Sequence, residues 1–293
     1  MNNIEAVVFD LDGVLRIGDK LTNGAQFILE KLEKYNIKRM IVTNECRYTT
    51  SYLKDELEEI GLKIPKDTLF YTAALSCKDY LEKKLNRFPD SKHIIGIVGE
   101  LGLFKTINQL NKYNNFKIID ELNNNYSDCK IFLVIGAVNK IKITDLNKIL
   151  KWIKKGAKVI VTCPDTTDPS SKGDFNLGMP NHMLYMVGYN ILTKKYNTGK
   201  PNPLFKDEIM SQLEITDASK ILFVGDTIYT DIQLAEESNF KSCLVLSGNS
   251  KLDTLNNYTL EPDYIINDVS ELEKILSLQP KKNLSVYNAK HNY

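Results

Sequence analysis

Two aspartates one residue apart, Asp10 and Asp12, close the run Ala6-Val7-Val8-Phe9, with Gly13 behind them. A short apolar, β-branched run suits a strand buried on both faces, and glycine lets the chain turn sharply after it. Paired carboxylates at the end of such a strand are costly unless something neutralises them. A divalent cation would do so, because hard cations take oxygen ligands. A carboxylate held in this way can also attack phosphorus and form an acyl-phosphate. The plainer alternative is a strand followed by an Asp-Gly turn with both acids in water. Three other places bear on the choice: Thr43-Asn44, Lys200, and Asp226 with Asp231 five residues later. Phosphoryl transfer needs a nucleophile, a cation against like charges, donors for the equatorial oxygens and an acid for the leaving alcohol. Singly, Thr43 reads as a helix cap, Lys200 as a surface lysine and the later aspartates as a turn and a solvated helix face. Together, in this order, they supply the whole set.

The elements that must position these groups follow a βαβ rhythm. After Ala6–Phe9 comes an amphipathic helix over 24–35, a second buried strand over 39–43 that ends at Thr43, and a helix over 49–60 stopped by Gly61. The rhythm predicts a parallel sheet with helices on both faces and ligands at the carboxyl ends of the strands. It restarts near Ser91 with strands at 94–98, 131–135 and 158–163, and a helix over 144–155 that carries the only tryptophan, Trp152. The Asn-rich stretch 108–125 reads as a helix end and surface loops. The first pattern returns near Thr198, with a helix over 204–213, a strand over 221–225 and further strands at Val245 and 265–266. A last helix, 270–276, takes Ser270 as its N-cap. The expected division is a core of 1–91 and 195–279, an inserted α/β unit of 92–194, and a loosely held tail of 280–293.

Composition sets outer limits. With 293 residues, 43% hydrophobic, 26% charged and net charge +1, nothing argues for nucleic acid or an anionic membrane as partner. Five scattered cysteines without a CxxC pair suit reduced thiols in the cytoplasm. There is no basic n-region at the amino terminus and no apolar run of membrane-spanning length.

Phe9-Asp-Leu-Asp-Gly13, Val42-Thr-Asn44, Gly199-Lys-Pro-Asn-Pro203 and Gly225-Asp-Thr-Ile-Tyr-Thr-Asp231 resemble the four motifs of the haloacid dehalogenase (HAD) superfamily. The insertion between the second and third motifs resembles the NagD-like branch, which includes p-nitrophenyl, phosphoglycolate and pyridoxal phosphate phosphatases. The resemblance spans about residues 4 to 276. It implies a doubly wound, Rossmann-like parallel core with an inserted α/β cap domain of the C2 type. It implies a Mg²⁺-dependent phosphatase of small phosphorylated metabolites, sugar and glycerol phosphates among them, and a homodimer formed through the cap. Asp10 would become the aspartyl-phosphate, while Asp12 would protonate the leaving oxygen and then deprotonate water. The Asp10 carboxylate, the Asp12 backbone carbonyl and Asp226 would hold Mg²⁺. Asp231 would orient the metal's waters or Lys200 from just outside. Thr43, Asn44 and Lys200 would bind the phosphoryl group.

The chain departs from that pattern in places. Glu45 stands where relatives carry Asn or Ser, and would repel phosphate unless it points away or pairs with Arg47. Tyr229 lies in the fourth motif, where it would alter the entrance. Thr162-Cys-Pro-Asp165 resembles the TNPD turn of the branch, but Leu177-Gly-Met-Pro-Asn-His182 replaces the glycine-rich segment that usually follows. Asp165 and His182 are candidate substrate contacts on the cap. Dehalogenase or phosphonatase chemistry fits less well, because Asp12 suits an alcohol leaving group. A receiver-type phospho-acceptor or a ligand-binding protein on the same fold is the non-enzymatic alternative. In receivers the lysine follows all the acids, whereas Lys200 precedes Asp226.

Overall fold

The computed structural model describes residues 4–122, 126, 128–165, 167–169, 175–177, 179–188, 197–257 and 259–277. The expected tail and the boundary near residue 194 lie outside them. The chain begins with β1 (Ala6–Phe9), the hairpin of β2 (Arg16–Ile17) and β3 (Lys20–Leu21), α1 (Ala25–Lys34), β4 (Lys38–Thr43), α2 (Thr50–Glu59), β5 (Leu69–Thr72) and α3 (Ala73–Arg87). A second set follows: β6 (His93–Val98), α4 (Leu101–Asn108), β7 (Phe116–Ile118), β8 (Lys130–Ile135), α5 (Ile143–Lys154), β9 (Lys158–Val161), β10 (Thr167–Pro169), β11 (Phe175–Leu177) and α6 (Met179–Met186). The chain then gives α7 (Pro203–Leu213), β12 (Ile221–Gly225), α8 (Gln233–Ser238), β13 (Lys241–Val245), β14 (Tyr264–Ile266) and α9 (Leu272–Ile275).

The first and last sets make one six-stranded parallel sheet, ordered β14-β13-β12-β1-β4-β5. β1 is central: Ala6 faces Ile221 and Lys38 across the ladder, and Phe9 faces Val224 and Ile41. Its four residues are fully buried, which is why the run shows no polar alternation. Val7, Phe9, Ile41 and Val224 pack with α1 and α2 on one face. Val8, Val42 and Phe223 pack with Cys77 of α3 and Phe205 of α7 on the other. The middle set makes its own four-stranded parallel sheet, β7-β6-β8-β9, smaller than the core and inserted into it. One face of that sheet joins the core's apolar cluster through Ile95, Leu103 and Val134. The other face packs on Trp152 of α5. A Cβ on Gly96 would lie 2.5 Å from the indole, so the strand needs glycine there.

The differences from the sequence reading are local. β5 and α3 run together, because Thr72 ends the strand and also caps the helix, accepting from Leu75 N–H. Phe116 and Ile118 are not loop residues but alternate positions of an edge strand beside His93–Ile95. Before α9, Asp268 rather than Ser270 caps the last turns, accepting from Ser270 N–H at 2.9 Å.

Candidate active site

The carboxyl ends of β1, β4 and β12 bring the predicted groups together. Asp10 follows β1, with its N–H held by Val224 O at 2.8 Å. Lys200 reaches it from the loop before α7: Nζ donates to Asp10 Oδ1 at 2.5 Å and to Asp231 Oδ1 at 2.7 Å. The lysine is 2% exposed. Asp231 sits on a single wide helical turn, 228–232, and its Oδ2 accepts from the N–H groups of Asp226 and Thr227. Both oxygens of Asp231 are thus engaged by protein donors. Asp226 accepts from Thr227 Oγ1 at 2.9 Å and from Asn249 N–H at 2.7 Å.

The backbone is cut to fit Asp226. A Cβ on Gly13 or Gly248 would lie 2.2 or 1.9 Å from its Oδ2. Gly13 also has φ of +86°, which glycine adopts without strain.

On the other side of β1, Thr43 Oγ1 accepts from Glu45 N–H at 3.0 Å and Asn44 Oδ1 accepts from Lys200 N–H at 2.7 Å. Glu45 lies in the cavity wall, yet its carboxylate is taken up by Arg47 through the backbone N–H at 2.6 Å, Nε and Nη2. Glu45 thus pairs with Arg47, one of the two arrangements the sequence allowed for it. A cleft opens over these groups, with Asp10, Asp12, Thr43, Asn44, Asp165 and Asp226 in its wall. Asp165 comes from the inserted unit. His182, on α6, and Tyr229 are half-buried and do not line this cleft among the described residues.

Burial holds the Asp10 carboxyl well above the ordinary range, against the pull of Lys200. Burial, then Asp231, pushes Asp226 up to about 8. Burial also works against the Lys200 ammonium, but Asp10 and Asp231 hold it above its usual value. Three carboxylates around one ammonium would leave two negative charges buried. Asp10, Asp226 and Asp231 offer carboxylate oxygens within 4.8 Å of one another. Beside them Asn249 Oδ1 is buried without a donor. An all-oxygen, charge-deficient set of this kind fits Mg²⁺.

The sequence reading missed two residues here. Asn249 sits in the Ser247-Gly-Asn-Ser250 turn after β13, and that turn composition at a strand end was the available signal. Arg16 donates from Nε to Asp12 Oδ1 at 2.8 Å, and nothing in its spacing announces the contact. The loop after β4 also joins the two sheets. Cys46 Sγ accepts from Ala137 N–H and Thr162 Oγ1 at 3.2 Å each, and Arg47 O accepts from Gly102 N–H at 2.9 Å. Burial pushes the Cys46 thiol up to about 12, which makes it a packed contact rather than a reactive group.

Two family models match the chain: a haloacid dehalogenase-like hydrolase model over residues 7–111 and a HAD-hydrolase-like model over 197–272. Among curated proteins, the chain is 25% identical to a dihydroxyacetone phosphatase of Corynebacterium glutamicum, over 90% of this chain and 88% of that one. It is 26% identical to the ribonucleotide monophosphatase NagD of Escherichia coli, over 93% and 99%. Its fold matches that of a 4-nitrophenylphosphatase from Thermotoga maritima with a TM-score of 0.76, at 24% identity over 93% and 97% of the chains.

Proposed function

We propose that this chain, which belongs to the HAD-like hydrolases in their NagD-like branch and is a Mg²⁺-dependent phosphatase, acts on small, polyhydroxylated phosphomonoesters. The observation that carries the reading is the buried Lys200 bridging Asp10 and Asp231 at 2.5 and 2.7 Å, beside Asp226 and facing Thr43 and Asn44. Asp10 attacks phosphorus and forms the aspartyl-phosphate as the ester P–O bond breaks. Asp12 gives its proton to the leaving oxygen and later takes one from the water that hydrolyses the intermediate. Lys200, Thr43 and Asn44 supply the positive charge and donors for the phosphoryl oxygens. Asp10 and Asp226, with the Asp12 carbonyl, would hold Mg²⁺, and Asp231 fixes Lys200 and the Asp226 loop from outside. The metal, when bound, screens the phosphate from the carboxylates around it. The inserted unit, 92–194, is the cap that restricts access.

The substrate class follows from the cleft wall. Its described residues are Thr, Asn and Asp side chains with Glu45, Arg47, Ala137 and Cys163, and no aromatic ring among them. Hydroxyl-rich esters find hydrogen-bond partners there for both phosphate and alcohol, whereas an aromatic ester is held through its phosphate and turned over with a higher KM. Two relatives named for dihydroxyacetone and ribonucleotide monophosphate activities agree with a polar alcohol.

The test is hydrolysis of p-nitrophenyl phosphate and a panel of sugar and polyol phosphates, with Mg²⁺, with EDTA, and with Asp10→Asn. Activity on the panel that disappears in both controls is expected. Folded protein that turns over no phosphomonoester with Mg²⁺ would overturn the reading.

A further inference from the structure

Asp12 is the more exposed of the two acids that follow β1. Its side chain is 30% exposed, and it accepts from Arg16, whose Nε meets Oδ1 at 2.8 Å. Arg16 itself is firmly placed. It is 5% exposed, and Nη1 donates to Glu56 Oε2 of α2 at 2.5 Å. Its carbonyl accepts from Gly13 N–H at 2.7 Å, and its N–H donates to Leu11 O at 3.2 Å. The turn from Leu11 to Arg16 thus folds back so that the arginine is set against Asp12, three residues beyond β1. Burial opposes the guanidinium's charge, but Asp12 and Glu56 hold its pKa above the usual arginine value. The arginine is therefore a fixed cation, with a planar fork that orients what it touches.

We infer that Arg16 is a positioning residue: anchored by Glu56, it holds the Asp12 carboxyl by Oδ1 and leaves Oδ2 for the ester's leaving oxygen. The inference rests on the phosphatase reading and adds to it. In the first step an Asp10 oxygen bonds to phosphorus and the ester P–O bond breaks. The electron pair stays on the leaving oxygen, and the proton from Asp12 Oδ2 goes to that oxygen. A carboxyl free to rotate about its two side-chain torsions would meet that oxygen only part of the time, and proton transfer needs hydrogen-bond reach.

The consequence is selective. A p-nitrophenolate leaves without help, while a phenolate of higher basicity needs the proton more. Phenyl phosphate and p-nitrophenyl phosphate have similar shape and differ chiefly in that need. The experiment measures kcat/KM for both esters with Mg²⁺ in the wild type, Arg16→Ala, Arg16→Lys, Glu56→Gln and Asp12→Asn, with a thermal melt of each protein. Arg16→Ala is expected to lose about tenfold more on phenyl than on p-nitrophenyl phosphate, a fraction of the roughly 10²–10⁴ that general-acid catalysis supplies. Asp12→Asn should show the same selectivity in stronger form. Arg16→Lys should recover part of the loss, since lysine keeps the charge without the fork. Equal losses on the two esters in folded Arg16→Ala would overturn the inference. If Arg16→Ala does not fold, Glu56→Gln decides in its place: a weaker loss of the same selectivity supports the inference, and an unselective one overturns it. A wild type inactive on both esters and on the polyol panel, or an unselective Asp12→Asn, would instead count against the phosphatase reading. A selective Asp12→Asn beside an unselective Arg16→Ala removes the role of Arg16 alone.

Discussion

Asp165 places a second kind of acid at the cleft, and its charge changes in a useful range. Burial raises its carboxyl to about 6, with Lys200 and Asn44 pulling the other way. Because the shift is upward, the side chain is neutral at lower pH and becomes an anion facing the phosphate as pH rises through about 6. The KM of the wild type should therefore rise relative to that of Asp165→Asn between about pH 5 and about pH 7, and the two should run together below that window. Parallel KM profiles across the whole range would show that Asp165 does not sense the substrate's charge. Residue types at strand ends made most of the site legible: Asp10, Thr43, Lys200 and Asp226 are chemically conspicuous, and the parallel topology brings them to one edge. Arg16 was not legible as a site residue in the same way, and Arg47 was legible only as one possible partner of Glu45. Their roles depend on which carboxylate they meet, and only the folded turn decides that. Glu45 shows the same limit, because its charge means repulsion or anchorage according to its partner.

At the scale of elements, the turn that follows β13 shapes the metal-ligand side of the site. Gly248 lies where a Cβ would come within 1.9 Å of Asp226 Oδ2. Gly248→Ala should displace Asp226 or the turn and raise the Mg²⁺ concentration for half-maximal activity by about tenfold, within the range seen when groups around a metal site are disturbed. Metal titration of activity measures it, and an unchanged midpoint would show that the turn yields without moving Asp226. The strands beside β1 were readable because central strands are continuous apolar runs. The edge strand β7 was not: it is three residues long and pairs on one side, so its alternation is lost among asparagines. The N-cap of the last turns moved from Ser270 to Asp268 because serine and aspartate both favour that place, and sequence alone does not rank two neighbours.

Over the whole molecule, charge and fold are coupled through the buried acids. Asp226, at about 8, binds its proton more tightly in the fold than in the open chain. It therefore favours the metal-free fold at low pH and withdraws that support as pH rises from about 4 to about 8. Mg²⁺ replaces the proton, so the increase in Tm on adding it should be larger at pH about 9 than at about 6. At 100 times its Kd a bound ion contributes about 2.7 kcal/mol, or roughly 5–10 °C for a chain of two domain-sized units. A gain in Tm that does not vary with pH would count against a titrating metal site. The doubly wound core and the inserted sheet were both visible as two successive βαβ rhythms, but the joint between them was not. Cys46 and Arg47 of the loop after β4 bond directly to Ala137, Thr162 and Gly102 of the insertion. Gly102 has no room for a side chain, since a Cβ would lie 2.4 Å from Arg47 O. The inserted unit is therefore not a freely exchangeable module. A recombinant enzyme that borrows this insertion from another parent inherits a mismatched seam unless residues 46, 47, 102, 137 and 162 travel as one set. Crossover points for building hybrids must respect that linkage as well as the ends of the insertion.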